Sequence, residues 1–295
     1  MVKKKYKFSH ISLSTSSKDN RVLPIATQVY EILNNAGINI SFDQSLKDLE
    51  LSLSEKAKTE KYIVKNAQLL IAIGGDGTML HCSRRYGSQD IPVLGINLGK
   101  VGFLTDISPN EITTRLLEVI KGDFIEDRRS FLEASIEGKK DTYTALNEVV
   151  IHSGAIAQLI DFDLSINDRF VYRQKADGLI VSSPTGSTAY SLSGGGPIVL
   201  PSVKTMTLLP MFPHSLLNTS PLIIGEDSKI RIEMIGKENK ALLSMDSHNS
   251  IKLREGDIVN ISKGKSSLTF YHPPGHDFFE ACRNKLGWSA GFSKI

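Results

Sequence analysis

Apolar and polar positions follow two different rhythms along this chain. Up to about residue 125, short apolar runs take turns with stretches at helical spacing. Phe8 to Leu13 reads as a strand, and Leu23 to Asn34 carries apolar residues on one helical face. Ile38-Asn39-Ile40-Ser41-Phe42 alternates with period two. The run Leu69 to Ile73 is continuously apolar, as suits a strand buried on both faces. Met79 to Tyr86 has helical spacing, Ile91 to Ile96 is the next strand, and Thr113 to Lys121 the next helix. Alternating strands and helices imply a parallel, Rossmann-like sheet with helices on its faces. Ligands of such α/β sheets sit outside the carboxyl ends of the strands.

After about Asp127 the rhythm becomes that of hairpins. Phe131 to Ile136 runs into a turn at Glu137-Gly138-Lys139-Lys140-Asp141. Phe162 to Ile166 and Arg169 to Tyr172 flank Asn167-Asp168, and Ile230 to Met234 and Ile251 to Leu253 alternate, with a turn at Arg254-Glu255-Gly256-Asp257. This half reads as a mostly antiparallel all-β domain. Near the end, Asp277 and Glu280 make a helix start. Phe278, Phe279, Cys282 and Leu286 then share one helical face. The expected organisation is an α/β domain over 1–126, a β-rich domain over 127–274, and a final helix at 275–295 that returns to pack on the first domain.

Composition narrows the class. At 295 residues two domains are the better prior, and 40% hydrophobic with 23% charged residues is an ordinary globular balance. The net charge of +3 is slight, with no basic stripe interleaved with aromatics, which argues against nucleic acid as a partner. The basic start Met1-Val2-Lys3-Lys4-Lys5 leads into no signal-peptide core, and no stretch approaches the roughly 20 apolar residues of a membrane span. Cys82 and Cys282 lack metal-site spacing and suit a reducing, cytoplasmic setting. The ending Ser293-Lys294-Ile295 lacks the last residue of a peroxisomal address.

Candidate chemistry begins where the apolar run Leu70 to Ile73 stops at Gly74-Gly75-Asp76-Gly77-Thr78. Glycines let a backbone approach a ligand closely, and a helix start favours a phosphate. A carboxylate inside such a cradle calls for a metal ion or a ligand hydroxyl; the plain alternative is an Asp that caps a helix. The Walker loop is excluded because no lysine follows Gly77. The dinucleotide fingerprint is excluded because Leu80 stands where its third glycine belongs.

A second stretch, Asp177 through Pro197, is an apolar strand ending in Pro184-Thr185-Gly186 among hydroxyls, followed by Gly194-Gly195-Gly196. Thr185, Ser187, Thr188, Ser191 and Ser193 can donate to phosphate or ribose oxygens, and Tyr190 offers an aromatic face. Between the two stretches lies Asn147-Glu148. An adjacent amide and carboxylate can grip the vicinal hydroxyls of a sugar, although a β-turn explains the dipeptide as well.

In order and spacing, these three motifs resemble those of the NAD kinase family, of the bacterial, ATP-dependent type. Gly95 through Leu104 resembles its glycine-rich segment, and Lys285-Leu286-Gly287-Trp288 its C-terminal helix. The resemblance covers about residues 67 to 288. It implies transfer of the γ-phosphoryl group of ATP to the 2′-hydroxyl of the adenosine ribose of NAD, giving NADP. Asp76 is then the catalytic carboxylate, with Gly77 and Thr78 approaching the ligand through their backbone. A divalent cation, Mg²⁺, is expected with ATP. The resemblance further implies Asn147 and Glu148 on the nicotinamide ribose, and Thr188, Ala189, Tyr190, Ser191, Leu192 and Ser193 on the adenine and phosphate side. Lys175 and Asp177 match positions of the NAD pocket, which in some members come from a neighbouring subunit, so a homo-oligomer (tetramer or dimer) is implied. Gln158 falls where relatives can carry His, and His248 where some carry Gln.

Two other readings remain at this point. Gly-Gly-Asp-Gly is shared with diacylglycerol-type lipid kinases, and a non-catalytic NAD(P)-binding sensor could keep the fold. Asn147-Glu148 and the Thr185 to Pro197 segment suit a sugar nucleotide rather than a lipid, and the intact Asp76 speaks against a sensor.

Overall fold

The computed structural model describes residues 6–46, 57–99, 102–154, 158–214, 220–236 and 241–288. Lys100 and Val101 of the glycine-rich segment, the basic start at 1–5 and the ending at 289–295 lie outside the described residues. The chain divides into two compact units, Met1–Arg128 with Leu268–Ile295, and Arg129–Ser267. Among the described residues no helix is long and apolar enough to cross a membrane.

The first unit is the parallel α/β layer. Its strands are β1 (His10–Ser14), β2 (Asn39–Asp43), β3 (Ala57–Lys58), β4 (Leu69–Ile73) and β5 (Val93–Ile96), paired in the order β5-β4-β1-β2-β3, all parallel. All five residues of β4 are fully buried. Each Leu or Ile so buried contributes ~1.5–3 kcal/mol, which is why an unbroken apolar run makes the centre of the sheet. Helices α1 (Val22–Asn35), α2 (Glu60–Asn66), α3 (Asp76–Tyr86) and α4 (Ile112–Lys121) complete the layer, and Val22, Ile25, Ala26, Val29 and Leu33 are the buried stripe of α1. Helix α3 begins at Asp76, not at Met79, because extended Gly75 serves as its N-cap. Asp76 in its first turn and Arg84 and Arg85 in its last both suit the helix dipole.

The second unit is antiparallel. Strands β6 (Ile125–Ile136) and β7 (Thr142–Ala145) form one hairpin. Next come β8 (Glu148–Ser153), β9 (Ile160–Ile166), β10 (Arg169–Ala176) and β11 (Gly178–Ser182), followed by the short helix α5 (Tyr190–Ser193). Strands β12 (Thr205–Met211), β13 (Leu222–Gly225), β14 (Ile230–Met234), β15 (Ala241–Met245), β16 (His248–Lys252) and β17 (Ile258–His272) complete it. One sheet runs β13-β12-β11-β8-β15-β16, while β10, β9, β14 and the start of β17 pair in another. Phe162, Leu164 and Ile232 from the one and Val149, Ile151, Val181 and Leu243 from the other share a single buried core. Asn167 and Asp168, with φ of 51° and 61°, make the tight turn between β9 and β10 that their residue types favour.

The last five residues of β17 lie in the first unit, where Phe270 pairs with Val93, so the return begins at Leu268, seven residues ahead of 275. Helix α6 (Phe278–Leu286) follows, capped by Asp277 Oδ1, which accepts from Phe279 N–H at 2.8 Å. Within this unit the Phe278 ring lies 6.4 Å from that of Phe103. The expected four-residue face is only partly inward: Cys282 is buried, but Phe279 is 48% exposed.

Candidate functional site

In the first unit, β4 delivers the chain to Gly74, and α3 carries it away from Gly75. A Cβ on Gly74 would stand 2.1 Å from Thr78 Oγ1, so the turn closes only over glycine. Thr78 is itself buried beneath this turn, its hydroxyl 3.1 Å from Ser16 Oγ, while Gly77 is exposed. The turn therefore presents Asp76 and Gly77 outward and uses the Thr78 side chain internally.

Asp76 is half-buried and held from one side. Its Oδ2 accepts from Phe103 N–H and its Oδ1 from Leu104 N–H, both at 3.0 Å. Gly102 packs directly against the carboxylate, and its own N–H donates to Thr105 Oγ1 at 2.9 Å. Two parallel N–H donors fix the plane of a carboxylate, and each oxygen keeps an acceptor site for a hydroxyl or a cation.

In the second unit, Asn147 and Glu148 lie at the entry to β8, both more than nine-tenths buried. Their backbone is gripped by Asp246. That carboxylate accepts from Leu146 N–H at 2.9 Å, Asn147 N–H at 2.8 Å and Glu148 N–H at 3.2 Å. In return, Asp246 N–H donates to Glu148 O at 3.0 Å. Asp246 and Ser247, with φ of 47° and 59°, form the two-residue turn between β15 and β16, and His248 Nδ1 lies 3.0 Å from Asp246 O. This clamp leaves Asn147 Oδ1 and Glu148 Oε2 buried with no hydrogen-bond partner among the described residues. Burial pushes the Glu148 carboxyl up to about 8, and the Asp246 charge adds to the rise, against a hydrogen bond from Tyr190 N–H. The rise favours the protonated carboxyl, which can donate as well as accept. Buried polar atoms without partners are rare in native proteins, and an amide oxygen and a carboxyl oxygen left so on adjacent residues suit ligand hydroxyls.

The serine-rich segment behaves less uniformly than its composition suggests. Ser187 Oγ accepts from Val199 N–H at 3.0 Å and lies 2.7 Å from Pro184 O, so it locks the turn. Ser183 Oγ donates to Leu146 O at 2.6 Å, and a Cβ on Gly186 would stand 2.2 Å from Asn147 O. Thr185 is buried and meets Arg129 Nη1 at 3.5 Å, and Thr188 Oγ1 lies 3.4 Å from Thr185 O. Ser191 is fully buried with no partner for its Oγ among the described residues, whereas Ser193 is exposed and Ala189 and Leu192 are half-buried. Asp177 and Tyr190 border an open hollow of about 410 Å³ together with Ser244 and Ser247. Gln158 and Lys175 do not line it: both are exposed, and Lys175 Nζ sits 3.3 Å from Asp161. Sequence reasoning missed Asp246 and the N–H groups of Phe103 and Leu104. The first acts from a hundred positions away, and backbone donors have no side-chain signature.

Comparison with known proteins places these features in context. Residues 10–124 match the model of the ATP-NAD kinase N-terminal domain, and residues 146–273 that of the ATP-NAD kinase C-terminal domain. The chain is 41% identical over 293 residues to the NAD kinase of Acinetobacter baylyi, covering 98% of this chain and 94% of that one. It is 46% identical over 227 residues to the NAD kinase of Chromohalobacter salexigens, covering 75% and 77%. Among solved structures it resembles yeast NADH kinase complexed with NADH, with a TM-score of 0.87 at 27% identity over 98% of this chain and 90% of that one.

Proposed function

The chain belongs to the ATP-NAD kinase family, and on that premise we propose that Asp76, Asn147 and Glu148 carry its reaction. The reaction is transfer of the γ-phosphoryl group of ATP to the 2′-hydroxyl of the adenosine ribose of NAD, giving NADP and ADP. The observation that carries this reading is that Asn147 Oδ1 and Glu148 Oε2 are buried with no hydrogen-bond partner among the described residues. They suit a ribose, and neither a lipid hydroxyl nor a purely structural role accounts for both.

Asp76 orients the 2′-hydroxyl for in-line attack. As the new O–P bond forms and the bond to ADP breaks, the hydroxyl proton passes to the Asp76 carboxylate. A carboxylate is a weak base at neutral pH, so alignment is its larger contribution. The fixed plane set by Phe103 and Leu104 N–H supports that role. Gly77, exposed and without a side chain, leaves room for phosphate oxygens. A divalent cation, which we assign as Mg²⁺, neutralises phosphate charge when bound with ATP, and the acceptor sites left on Asp76 are the hard oxygen donors it favours.

Asn147 and Glu148 hold the nicotinamide ribose. Tyr190, with Thr188, Ala189, Ser191, Leu192 and Ser193, serves the adenine and phosphate side. Lys175, Asp177, Gln158 and His248 are assigned to NAD on the family resemblance. The α/β unit, a nucleotide-binding domain, then supplies Asp76 and Gly77 toward NAD, and the β-rich unit supplies the remaining NAD contacts. A cytoplasmic homo-oligomer, dimer or tetramer, accords with two unpaired cysteines and with apolar side chains left outward on edge strands. Phe170 of β10 is 63% exposed and Ile223 of β13 is 50% exposed.

The test is incubation with NAD, ATP and Mg²⁺, with NADP read by an NADP-specific dehydrogenase. NADP formation that requires all three supports the reading, and its absence removes it.

A further inference from the structure

A second group of chemistry-bearing side chains lies in the first unit, outside the residues assigned to the reaction. Asp106 ends the segment that holds Asp76. His272 is the last residue of β17, and the turn Pro273-Pro274-Gly275 brings His276 back beside it. Asp106 Oδ2 lies 2.7 Å from His272 Nδ1, and Asp106 Oδ1 lies 2.7 Å from His276 Nδ1. The two imidazole rings stack at 3.8 Å with an interplanar angle of 11°. One ligand atom from each of the three residues falls within 4.8 Å of the others.

We propose that Asp106, His272 and His276 form a binding site for a zinc-class transition-metal ion that ties the 272–276 turn to the segment anchoring Asp76. The contacts of His272 favour this. Its Nδ1 lies 2.7 Å from Asp106 Oδ2 and its Nε2 3.4 Å from Asp127 Oδ2, so both ring nitrogens face carboxylates. A neutral imidazole has a single N–H and can donate to only one of them. A metal ion serves both rings and the carboxylate at once, and Asp127 then orients the ligand ring through its other nitrogen, as carboxylates commonly do at metal sites.

The donor set selects the ion. Two imidazole nitrogens, four residues apart in sequence, with one carboxylate oxygen match zinc and its neighbours, not Mg²⁺ or Ca²⁺, which favour oxygen. Ligands around a tetrahedral zinc stand roughly 3.3 Å apart, so the two 2.7 Å contacts of Asp106 with the imidazoles must each open by about 0.6 Å. His276 sits on a turn and is 21% exposed, which allows that movement. A cavity of about 230 Å³, bordered by Asp106, His276 and Arg115, gives the ion an entry path and room for a water or an anion as fourth ligand.

The test uses the full chain, stripped with a chelator, and Zn²⁺ or Co²⁺ alone without nucleotide. One equivalent should bind, with a visible Co²⁺ absorption band, and Zn²⁺ but not Mg²⁺ should raise Tm. His276→Ala should weaken binding at least tenfold and abolish the Zn²⁺-dependent rise, while its metal-free melt stays near that of wild type. Asp106→Asn should do the same where it folds, and His276→Ala decides alone where it does not. No saturable binding at micromolar metal, the outcome for a proton-only cluster, overturns the proposal. So does equal binding by wild type and His276→Ala.

Discussion

Gly102 lies so close to Asp76 that a Cβ on it would stand 1.9 Å from the aspartate Oδ1 and 2.6 Å from its Cγ. The carboxylate would have to leave the Phe103 and Leu104 N–H groups to make room. Gly102→Ala should therefore lower kcat by about 10- to 100-fold, the scale of a misplacement near 1 Å. Its melting temperature should move far less. Steady-state kinetics beside a thermal melt separates the two, and a wild-type rate would show that the N–H pair does not position Asp76.

Asp76→Asn replaces one acceptor oxygen with an NH₂ that faces a backbone N–H donor, so orientation and proton acceptance are lost together. Turnover should fall by about 10²- to 10⁴-fold, with NAD binding by equilibrium dialysis largely kept. NAD lacking the adenosine 2′-hydroxyl should accept no phosphoryl group with the unmodified protein. Phosphorylation of that analogue would move the site of transfer elsewhere.

Glu148 links stability to pH. Burial, and then Asp246, push its carboxyl up to about 8 in the folded chain, against an ordinary value of 4.5. The folded state thus holds the proton more tightly than the unfolded state does. Stability from this group is full below 4.5 and declines as pH rises toward 8, above which the loss is complete. Glu148→Gln, which cannot ionise, should melt above wild type at pH 8 to 8.5, with the margin closing toward pH 5. Calorimetric scans across that range check it, and a margin independent of pH would refute the burial cost. NAD affinity should fall in the same variant.

Ser187→Ala should act through folding. The serine Oγ is the acceptor for Val199 N–H, and its loss leaves that buried donor without a partner. The expected cost is about 1–3 kcal/mol in urea unfolding, with KM for NAD little changed at a temperature where the variant is folded. A large rise in KM with no loss of stability would return Ser187 to the ligand.

The parts of this molecule legible in its sequence are those where local pattern and tertiary environment agree. The apolar run Leu69–Ile73 stopping at glycines identified a central strand feeding a phosphate-type turn, and Asn167-Asp168 identified a hairpin. Asn147-Glu148 was ambiguous because its distinguishing feature, the grip of Asp246 on three successive N–H groups, is non-local. Composition also could not tell hydroxyls that face a ligand from those, such as Ser183 and Ser187, that close the loop on itself. Helical spacing grouped Phe279 with Cys282, but spacing alone does not say how wide a stripe the neighbouring layer covers.

The second unit is an insertion: the chain leaves the first unit within β6 and re-enters it within β17. On a ribosome the order of completion is then reversed from the usual N-terminal-first sequence. The β-rich unit is contiguous and can close as soon as Ser267 has emerged. The α/β unit, although started first, waits for Leu268 onward to supply the strand beside Val93 and the helix beyond it. A nascent chain stalled before Leu268 would expose the β5 edge, making that interval the one in which a chaperone has most to shield.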